Sequence, residues 1–342
     1  PHDSNALGQV NLADPVDLVE STDLLDDPRA LRARADEDGY LFFRALLPRE
    51  AVLEVRRDIL AAIAADGWLD DAAPLEQGRL DHRAIDTIPD DELRDDIGVS
   101  EQGYVHIQQV ESLHRLPHHP ALLSLYDDLI DGSVFVHPRH IVRAMTSHRG
   151  LSPTPAHQDF PLVQGTGATW TCWAPLGDCP RSLGSLAVLP GTHRRGYRPV
   201  IEAPGAGHIG AQLCDDDLPR WHGADFAAGD VLTFNAYTVH RSLPALDRDH
   251  LRLSMDVRYQ STDDPIEARA LTNHADVDWA TVYQGWGDTT FQHYWLDADL
   301  TIEPWDDALI QPSPAAASAN ARPDAPDAVR PSPPRGRRFE RR

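Results

Sequence analysis

The sequence predicts a mainly β fold with flanking helices. From residue 133 onward, short runs of β-branched or aromatic residues alternate with Gly, Pro and Asp turns, which is typical of a β-sandwich or a barrel. Upstream, the stretch 48–66 has apolar residues at helical spacing and a proline near its start, which predicts a helix. A chain of 342 residues, 41% of them apolar and 25% charged, can bury the core that such a fold needs.

The predicted elements follow one another along the chain. The predicted helices lie at 28–38, 48–66 and 113–129, and Gly39 breaks the first of them. The stretch between the last two is acidic and rich in loops. The predicted strands lie at 40–43, 134–136, 168–173, 185–189, 231–234 and 251–259.

One domain is expected to span residues 31–310, with its β core at about 133–260. A polar, acidic lead-in at 1–30 precedes it. Residues 262–310 are irregular but contain four tryptophans, which are expected to pack on the β core. The last segment, 311–342, has seven prolines and seven arginines against three acidic residues, so it is predicted to be a disordered tail.

Charge and composition exclude several classes of function. The chain carries 31 basic and 54 acidic residues, a formal charge of −23, and every basic residue is arginine. Without lysine there is no P-loop lysine, no Schiff-base lysine and no lysine base. The acidic excess also argues against binding to nucleic acid or to an anionic membrane, because both partners are polyanions.

The sequence favours a cytoplasmic protein. No apolar run approaches the roughly 18–20 residues that span a bilayer, and the first residues are polar, so neither a membrane span nor a signal peptide is expected. Cys172, Cys179 and Cys214 have neither the even number of a disulfide framework nor the spacing of a zinc site. They are expected to be free thiols in a reducing compartment. The oligomeric state stays open.

The segment 156–160 (AHQDF) carries the most informative side chains. If it is extended, His157 and Asp159 point to the same side and can both reach one metal ion. His240, at the end of a later β-like run, offers a third ligand. Two imidazoles and one carboxylate suit Fe(II) and leave adjacent positions open. An HxD pair alone also arises by chance, and His240 alone fits a surface or core histidine.

The segment 251–259 (LRLSMDVRY) alternates strictly between apolar and polar residues. Its polar face is formed by Arg252, Ser254, Asp256 and Arg258. Inside a β fold this face can hold an anion, because Arg252 offers a two-pronged donor for a carboxylate and Ser254 offers a hydroxyl. A solvent-facing edge strand explains the same pattern equally well.

Several motifs occur in a particular order and spacing: HQD at 157–159, LAVLPGTH at 186–193, AAGDVLTFNAYTVHRS at 227–242 and RLS at 252–254. Together they resemble the phytanoyl-CoA dioxygenase family of non-haem Fe(II)/2-oxoglutarate oxygenases. The segment DGYLFFRALLPREAV at 38–52 resembles the way these proteins begin. The resemblance covers about residues 36–260, and it identifies no substrate.

The resemblance implies a fold and a metal centre. The implied fold is a double-stranded β-helix (jelly roll, cupin-like) with flanking helices. His157, Asp159 and His240 are implied as ligands of Fe(II), with 2-oxoglutarate and O2 as cosubstrates. Asp159 bears on the reaction, because related halogenases have a small residue in place of the carboxylate ligand. Hydroxylation, or another oxidation such as desaturation or ring formation, is therefore favoured over halogenation.

The resemblance also implies residues that bind 2-oxoglutarate. Arg252 and Ser254 are expected to anchor its distal carboxylate. Thr171, on the strand after the HxD motif, is expected to touch it as well. Arg143, on a strand at 136–146, is a further candidate.

The sequence therefore predicts a dioxygenase that hydroxylates a small-molecule metabolite or natural-product intermediate and releases succinate and CO2. The side chains expected to contact the substrate, from their positions alone, are His106, Gln108, Arg139, Phe160 and Trp221. The alternative is a jelly-roll metal protein without oxygenase activity, either a Lewis-acid isomerase or hydrolase or a binding module.

Overall fold

A computed structural model describes residues 15–94, 96–147, 153–205, 207–214, 217 and 220–312. The start of the predicted lead-in (1–14) and most of the predicted tail (313–342) lie outside this part of the chain. In chain order, the α-helices are α1 (Pro28–Asp38), α2 (Arg49–Ala65), α3 (His82–Asp86), α4 (Glu101–Gln108), α5 (Glu111–Arg115), α6 (Pro120–Leu129), α7 (Phe160–Val163) and α8 (Trp279–Val282). The β-strands are β1 (Val16–Asp17), β2 (Tyr40–Phe43), β3 (Val134–Val136), β4 (Ile141–Met145), β5 (Trp170–Pro175), β6 (Leu186–Val188), β7 (Val200–Glu202), β8 (Ile209–Ala211), β9 (His222–Gly223), β10 (Val231–Asn235), β11 (His240–Ser242), β12 (Arg252–Ser261), β13 (Ile266–Glu267) and β14 (Ile302–Glu303).

The strands form two main sheets. The smaller sheet has the spatial order β1, β9, β6, β11, and the larger has the order β2, β10, β5, β12, β3, with β4 also pairing with β12. Within the larger sheet the neighbouring strands are antiparallel. Two short pairs, β7 with β8 and β13 with β14, lie outside both sheets.

The larger sheet has helices on one face and the smaller sheet on the other. Strand β2 illustrates this arrangement, since successive side chains point to opposite faces. Leu41 and Phe43 pack among the helices, whereas Tyr40 and Phe42 pack with Val188 of the smaller sheet. The predicted mainly β fold with flanking helices is thereby confirmed.

Strand β12 lies inside the larger sheet, and all ten of its residues are buried. Its apolar side chains, Leu253, Met255 and Val257, pack with the helices. The polar side chains between them therefore face the space between the two sheets. The alternative of a solvent-facing edge strand is wrong for this segment.

Most predicted elements are present, with one division. Helix α1 has the predicted span, with Asp27 capping its first turn and Gly39 in the left-handed conformation (φ 74°) at its end. The candidate helix at 113–129 is divided into α5 and α6. Pro117 and Pro120 explain the division, because neither has the N–H group that a continuous helix needs.

Segments on both sides of the predicted β core pack against it. Strand β1 pairs with β9, so the end of the predicted lead-in adds a strand to the smaller sheet. Trp279, Trp286 and Trp295 pack in one apolar cluster with Phe135 of β3, as expected for the tryptophan-rich segment.

No helix in the described ranges is long and apolar enough to cross a membrane. The three cysteines are unpaired, as predicted. Cys172 and Cys179 are buried, and Cys214 is exposed.

Candidate active site

His157, Asp159 and His240 lie together between the two sheets. One potential ligand atom from each lies within 4.8 Å of the others, and all three residues are buried. Nε2 of His157 and Nε2 of His240 are each 3.6 Å from Oδ1 of Asp159. The two histidines are cross-strand neighbours, because the N–H of each donates to the carbonyl of the other, at 2.9 and 3.0 Å. The structure thus brings together the three residues predicted as metal ligands.

Asp159 reaches this position by a different route from the one expected. It has helical backbone angles (φ −73°, ψ −30°) and immediately precedes α7. His157 pairs with His240, and the chain then turns, so the two residues do not share the face of one regular strand. The expectation of an extended segment is therefore corrected, although both side chains still converge.

Both imidazole rings are oriented by backbone carbonyls. Nδ1 of His157 lies 2.8 Å from the carbonyl of Pro155, and Nδ1 of His240 lies 3.1 Å from that of Thr238. Nδ1 must donate in these bonds, which leaves the lone pair of each Nε2 facing Asp159. Burial, with His157 nearby, lowers the pKa of His240 to about 3, so its ring is neutral as a metal ligand requires.

The second oxygen of Asp159 is held by two donors. Oδ2 accepts a hydrogen bond from the hydroxyl of Thr171 at 2.5 Å and one from Nη2 of Arg258 at 3.2 Å. Burial by itself raises the pKa of Asp159, but the Arg258 charge, His240 and His157 hold it well below its usual value. The carboxylate therefore offers Oδ1 as an ionised ligand atom.

Thr171 has a contact that the sequence did not indicate. Its hydroxyl carries a single proton, and that proton is donated to Asp159. Thr171 therefore helps to orient the carboxylate of the candidate metal ligand. Contact of Thr171 with 2-oxoglutarate stays a prediction.

An inner chamber of about 20 Å³ lies on one side of the three residues, lined by Arg252, Trp173 and Phe234 among others. Nη1 of Arg252 donates to the carbonyl of Gly184 at 2.9 Å, while its Nε has no hydrogen-bond partner among the described residues. Ser254, next on the same face, is fully buried, and its hydroxyl also lacks a partner in the described part of the chain. Buried donors without acceptors are costly. An anion in the chamber beside Arg252 would satisfy its Nε, so this end of β12 fits a carboxylate. Ser254 is not among the residues that line the chamber, and its contact with 2-oxoglutarate stays a prediction.

An outer cavity of about 350 Å³ lies on the other side, a size typical of sites for small molecules. Arg143, Thr154 and Arg258 line both spaces together with His157 and Asp159. The candidate metal centre thus lies where the two spaces meet. The apolar wall of the outer cavity contains Ile141, Leu162, Val163, Ile209, Ala270, Trp305 and Ile310.

Two arginines predicted as site residues do line these spaces. Arg143 donates from Nε to Asp256 at 3.0 Å and from Nη1 to the carbonyl of Asp96 at 2.5 Å. Arg139 lines the outer cavity and is held by residues 272–276. Contact of Arg143 with 2-oxoglutarate and of Arg139 with substrate stay predictions.

His106 and Gln108 were expected to contact substrate, but neither lines the cavities. His106 is at the surface of α4, where its Nδ1 pairs with Asp66 at 2.8 Å. Gln108 is fully buried and donates to the hydroxyl of Tyr104 and the carbonyl of His140. Both expectations are corrected, since His106 faces the protein surface and Gln108 is buried against Tyr104 and the His140 carbonyl.

Phe160 and Trp221 are also placed differently from the expectation. Phe160 begins α7, and its ring packs against Tyr237, with centroids 4.7 Å apart. Its helix neighbours Leu162 and Val163 line the cavity instead. Trp221 is buried outside both cavities, where Arg241 stacks on its ring at 4.2 Å.

Arg258 is the main site residue that the sequence analysis left unassigned. The alternation of β12 was the signal that could have found it, because position 258 shares a face with Arg252. Glu267, Arg269 and Trp305 also line the outer cavity. They come from the irregular segment 262–310, where no periodic pattern indicates which side chains turn inward.

The geometry is matched by a family comparison. A sequence model described as phytanoyl-CoA dioxygenase (PhyH) matches residues 35–247, more than half of the chain.

The chain belongs to this family. It is therefore a non-haem iron, 2-oxoglutarate-dependent oxygenase, with Fe(II) as its metal and 2-oxoglutarate and O2 as cosubstrates. Among curated relatives, the 1-deoxypentalenic acid 11-beta-hydroxylase of Streptomyces arenae is 30% identical over 269 residues, covering 75% of this chain and 89% of the relative. The enzyme of the same name from Streptomyces exfoliatus is 29% identical over the same share of each chain.

Two solved structures support the fold of this phytanoyl-CoA dioxygenase family member. The epimerase SnoN, in complex with Fe3+, alpha ketoglutarate and nogalamycin RO, has a TM-score of 0.50 at 20% identity, covering 75% of this chain and 90% of SnoN. EctD from S. alaskensis with bound Fe has a TM-score of 0.50 at 16% identity, covering 85% and 92%. The predicted double-stranded β-helix (jelly roll) is confirmed.

Proposed function

We propose that the protein hydroxylates a small-molecule natural-product intermediate, with release of succinate and CO2. His157, Asp159 and His240 are proposed as the Fe(II) ligands. The observation that carries the assignment is the convergence of both free Nε2 atoms on Oδ1 of Asp159, each at 3.6 Å. Two neutral imidazoles and one ionised carboxylate are the donor set that suits Fe(II) in oxygenases.

The relatives support the small-molecule substrate and the type of reaction. Two curated relatives that cover three quarters of the chain are named as hydroxylases of 1-deoxypentalenic acid. The outer cavity of about 350 Å³, with its apolar wall, suits a compact and largely apolar molecule. Asp159 supports hydroxylation, desaturation or ring formation over halogenation, because a ligated carboxylate occupies the position that a halide needs.

Each residue of the proposed site has a defined task. Iron with 2-oxoglutarate and O2, when bound, supplies the oxidising power that inserts oxygen into a C–H bond. The carbonyls of Pro155 and Thr238 hold the Nδ1 protons of the two histidines and so keep both Nε2 atoms available. Arg252 and Ser254 bind the distal carboxylate of 2-oxoglutarate. Its oxygens accept hydrogen bonds from the buried donors of these two residues, which have no partner among the described residues.

The walls of the inner chamber exclude water from the reaction. Trp173 and Phe234 are almost fully buried and line this chamber. A dry chamber strengthens the attraction between Arg252 and a bound carboxylate, since little solvent screens it. Substrate then approaches from the outer cavity, on the opposite side of the metal ligands.

Anaerobic addition of Fe(II) and 2-oxoglutarate tests the proposal directly. The loaded protein should gain a visible charge-transfer band, and the band should be absent from His157→Ala and Asp159→Ala. His250→Ala, which changes a histidine at the protein surface, serves as the matched control and should keep the band. Screening a metabolite extract for substrate-dependent succinate then identifies the substrate.

A protein that binds Fe(II) but gives neither the band nor succinate with any extract would contradict the oxygenase proposal. Such a result would favour the alternative of a jelly-roll metal protein that acts as a Lewis acid or a binding module. A band that survives in Asp159→Ala would instead show that the ligands are wrongly assigned.

We also infer that residues 31–310 form the body of one catalytic domain, to which β1 of the predicted lead-in adds a strand, and that the protein acts in the cytoplasm. The three unpaired cysteines support a reducing compartment. Proteolytic removal of the predicted tail should leave the charge-transfer band intact. Cell fractionation tests the compartment.

A further inference from the structure

We propose that the outer cavity binds an apolar substrate through one carboxylate group, and that Arg139 holds this group. This inference rests on the proposed function and names the substrate class. The cavity is lined by charged side chains from the connection between β3 and β4 and from β12, and by apolar residues such as Leu162 and Ile209. A lining with both kinds of side chain fits a molecule with an anionic group and a hydrocarbon body.

The charges of the cavity are not evenly balanced. Four arginines line it, and buried acids neutralise three of them, while Asp96, which also lines the cavity, is paired with Arg94. Arg143 pairs with Asp256 at 3.0 Å, and Arg258 pairs with Asp159 at 3.2 Å. These ion pairs are buried on both sides, so little of either charge is available to a ligand.

The third paired arginine is Arg269. It pairs with Glu267 at 3.6 Å, and the Glu267 side chain is only 3% exposed. The guanidinium of Arg269 also lies over the ring of Trp305. Its charge is therefore satisfied from two directions, by the carboxylate and by the aromatic face.

Arg139 is different, because its acidic partner is in solvent. Asp276 lies 3.3 Å away, but its side chain is 72% exposed, whereas that of Arg139 is 24% exposed. An exposed carboxylate is well hydrated and contributes little to such a pair. Among the described residues that line the cavity, Arg139 is thus the arginine that lacks a buried counter-charge.

The guanidinium of Arg139 is nevertheless held in place. Nη1 donates to the carbonyl of Asn273 at 2.6 Å and to the hydroxyl of Thr272 at 2.8 Å. Nε and Nη2 make no hydrogen bond with any described residue. One edge of the planar group is fixed, and the other keeps two donors, the geometry that a carboxylate accepts.

The surroundings make this end of the cavity positive. Burial is the largest cause of the strongly lowered pKa of His274, and Arg139, Arg94, Arg143 and Arg258 lower it further. Arg94, Arg143 and Arg258 are each paired with an acid, so the positive charge at this end that no buried acid neutralises comes from Arg139. A single anion entering the cavity is therefore attracted to this end.

The location of Arg139 suits a substrate that reaches the metal. His137, two residues before it, donates its backbone N–H to the carbonyl of Arg258 at 2.9 Å. Arg258 in turn contacts Asp159. Arg139 lines the same cavity as His157 and Asp159, so a molecule anchored at Arg139 can extend toward these two residues.

The test compares acids with their uncharged esters. The probes are 1-deoxypentalenic acid, other terpenoid acids of similar size, their methyl esters and the corresponding phosphate monoesters. Binding is read from the perturbation of the anaerobic Fe(II)–2-oxoglutarate band, and turnover from succinate formation. We expect an acid to bind better than its ester, and Arg139→Gln to reduce this preference by about tenfold to a hundredfold through KM, with kcat little changed.

The controls separate the inference from the proposed function. The unperturbed band of Arg139→Gln should match that of the native enzyme, which shows an intact metal site. Arg139→Lys should recover part of the acid preference. Asp276→Asn removes the other half of the exposed ion pair and should keep the preference in full.

Several results would overturn the assignment of Arg139. One is that Arg139→Gln still prefers the acid over its ester. Another is that Asp276→Asn loses this preference as much as Arg139→Gln does. A third is that the phosphate monoesters bind more tightly than the acids. If the band forms but no probe acid is preferred over its ester, the oxygenase stands and the substrate class is wrong. If the band itself is absent, the proposed function fails first.

Discussion

Arg258 donates a hydrogen bond from Nη2 to Oδ2 of Asp159, at 3.2 Å. The same oxygen accepts the hydroxyl of Thr171 at 2.5 Å, so both donors engage the oxygen that faces away from the histidines. Oδ1 alone is left to bind a metal. The two donors thus favour a carboxylate that ligates through one oxygen and keeps the neighbouring positions open.

Removing either donor should weaken metal binding. In Arg258→Gln and in Thr171→Val, we expect the affinity for Fe(II), measured anaerobically by calorimetry, to fall by about tenfold to a hundredfold. Arg241→Gln is the matched control. Arg241 follows His240 directly, but its guanidinium stacks on Trp221 and does not touch the ligands. Unchanged affinity in both Arg258→Gln and Thr171→Val would refute this role.

Arg252 and Ser254 should affect 2-oxoglutarate more than the metal. We expect Arg252→Gln to raise the KM for 2-oxoglutarate by about tenfold to a hundredfold, because a charge-assisted bond is lost, and Ser254→Ala to raise it severalfold. The affinity for Fe(II) should stay near the native value in both variants. Arg248→Gln changes an exposed arginine on the preceding loop and should leave the KM unaltered. Equal effects of Arg248→Gln and Arg252→Gln would mean that the anchor is misplaced.

Buried histidines should make the protein unstable in acid. Burial lowers the pKa of His114 and His118 to about 4 and that of His137 to about 3, and it lowers the pKa of His140 well below the usual value. Above about pH 6.5 these histidines are neutral in both the folded and the unfolded chain. As the pH falls below that value, the unfolded chain binds protons that the folded chain does not, so the free energy of unfolding decreases.

His140→Leu tests this dependence at one position. Neither ring nitrogen of His140 has a hydrogen-bond partner among the described residues, and the side chain is fully buried. The measurement is urea denaturation of the metal-free protein between about pH 5 and pH 7. The free energy of unfolding of the variant should depend less steeply on pH than that of the native protein, by up to about 1.4 kcal/mol per pH unit. An unchanged slope would show that His140 does not remain neutral in the folded state.

Gly39 should tolerate no side chain. It has φ +74°, and a Cβ atom there would lie 2.1 Å from Nδ1 of His193. We expect Gly39→Ala to cost about 1–2 kcal/mol from the left-handed conformation alone, and more from the clash. Adding His193→Ala should restore the share of the unfolding free energy that is lost to the clash. A double-mutant cycle, followed by thermal or urea denaturation, measures this share. Additive effects of the two changes would contradict this account.

Local patterns predicted the parts of the site that depend on nearby sequence. The HQD motif and the run ending at His240 identified the three converging residues, and the alternation of β12 identified Arg252 and Ser254. Strand parity explains why Arg252 and Ser254 share one buried face, while their contact with 2-oxoglutarate stays a prediction. His157 and Asp159 converge although the chain between them turns out of the extended conformation. Position along the chain misled at Phe160, because the chain turns into α7 directly after Asp159.

Local sequence patterns could not predict the placement of residues whose roles depend on contacts with distant parts of the chain. Gln108 and Trp221 are polar or aromatic residues near informative motifs, yet each is buried away from the cavities. Conversely, Arg269 and Trp305 reach the cavity from a segment without periodicity. Only the packing of that segment against the β3–β4 side decides that they line the site.

Strand β12 has one apolar and one polar face, so its pairing register determines which side chains line the candidate site. A shift of one residue in its pairing would turn Leu253, Met255 and Val257 toward the chamber and drive Arg252 and its charged neighbours into the helix-packed core. Burying those charges against apolar side chains costs several kcal/mol. The charged side chains of this face, two of which are proposed to bind 2-oxoglutarate, therefore also favour the correct strand register. A misaligned chain would lose both its stability and the proposed binding face.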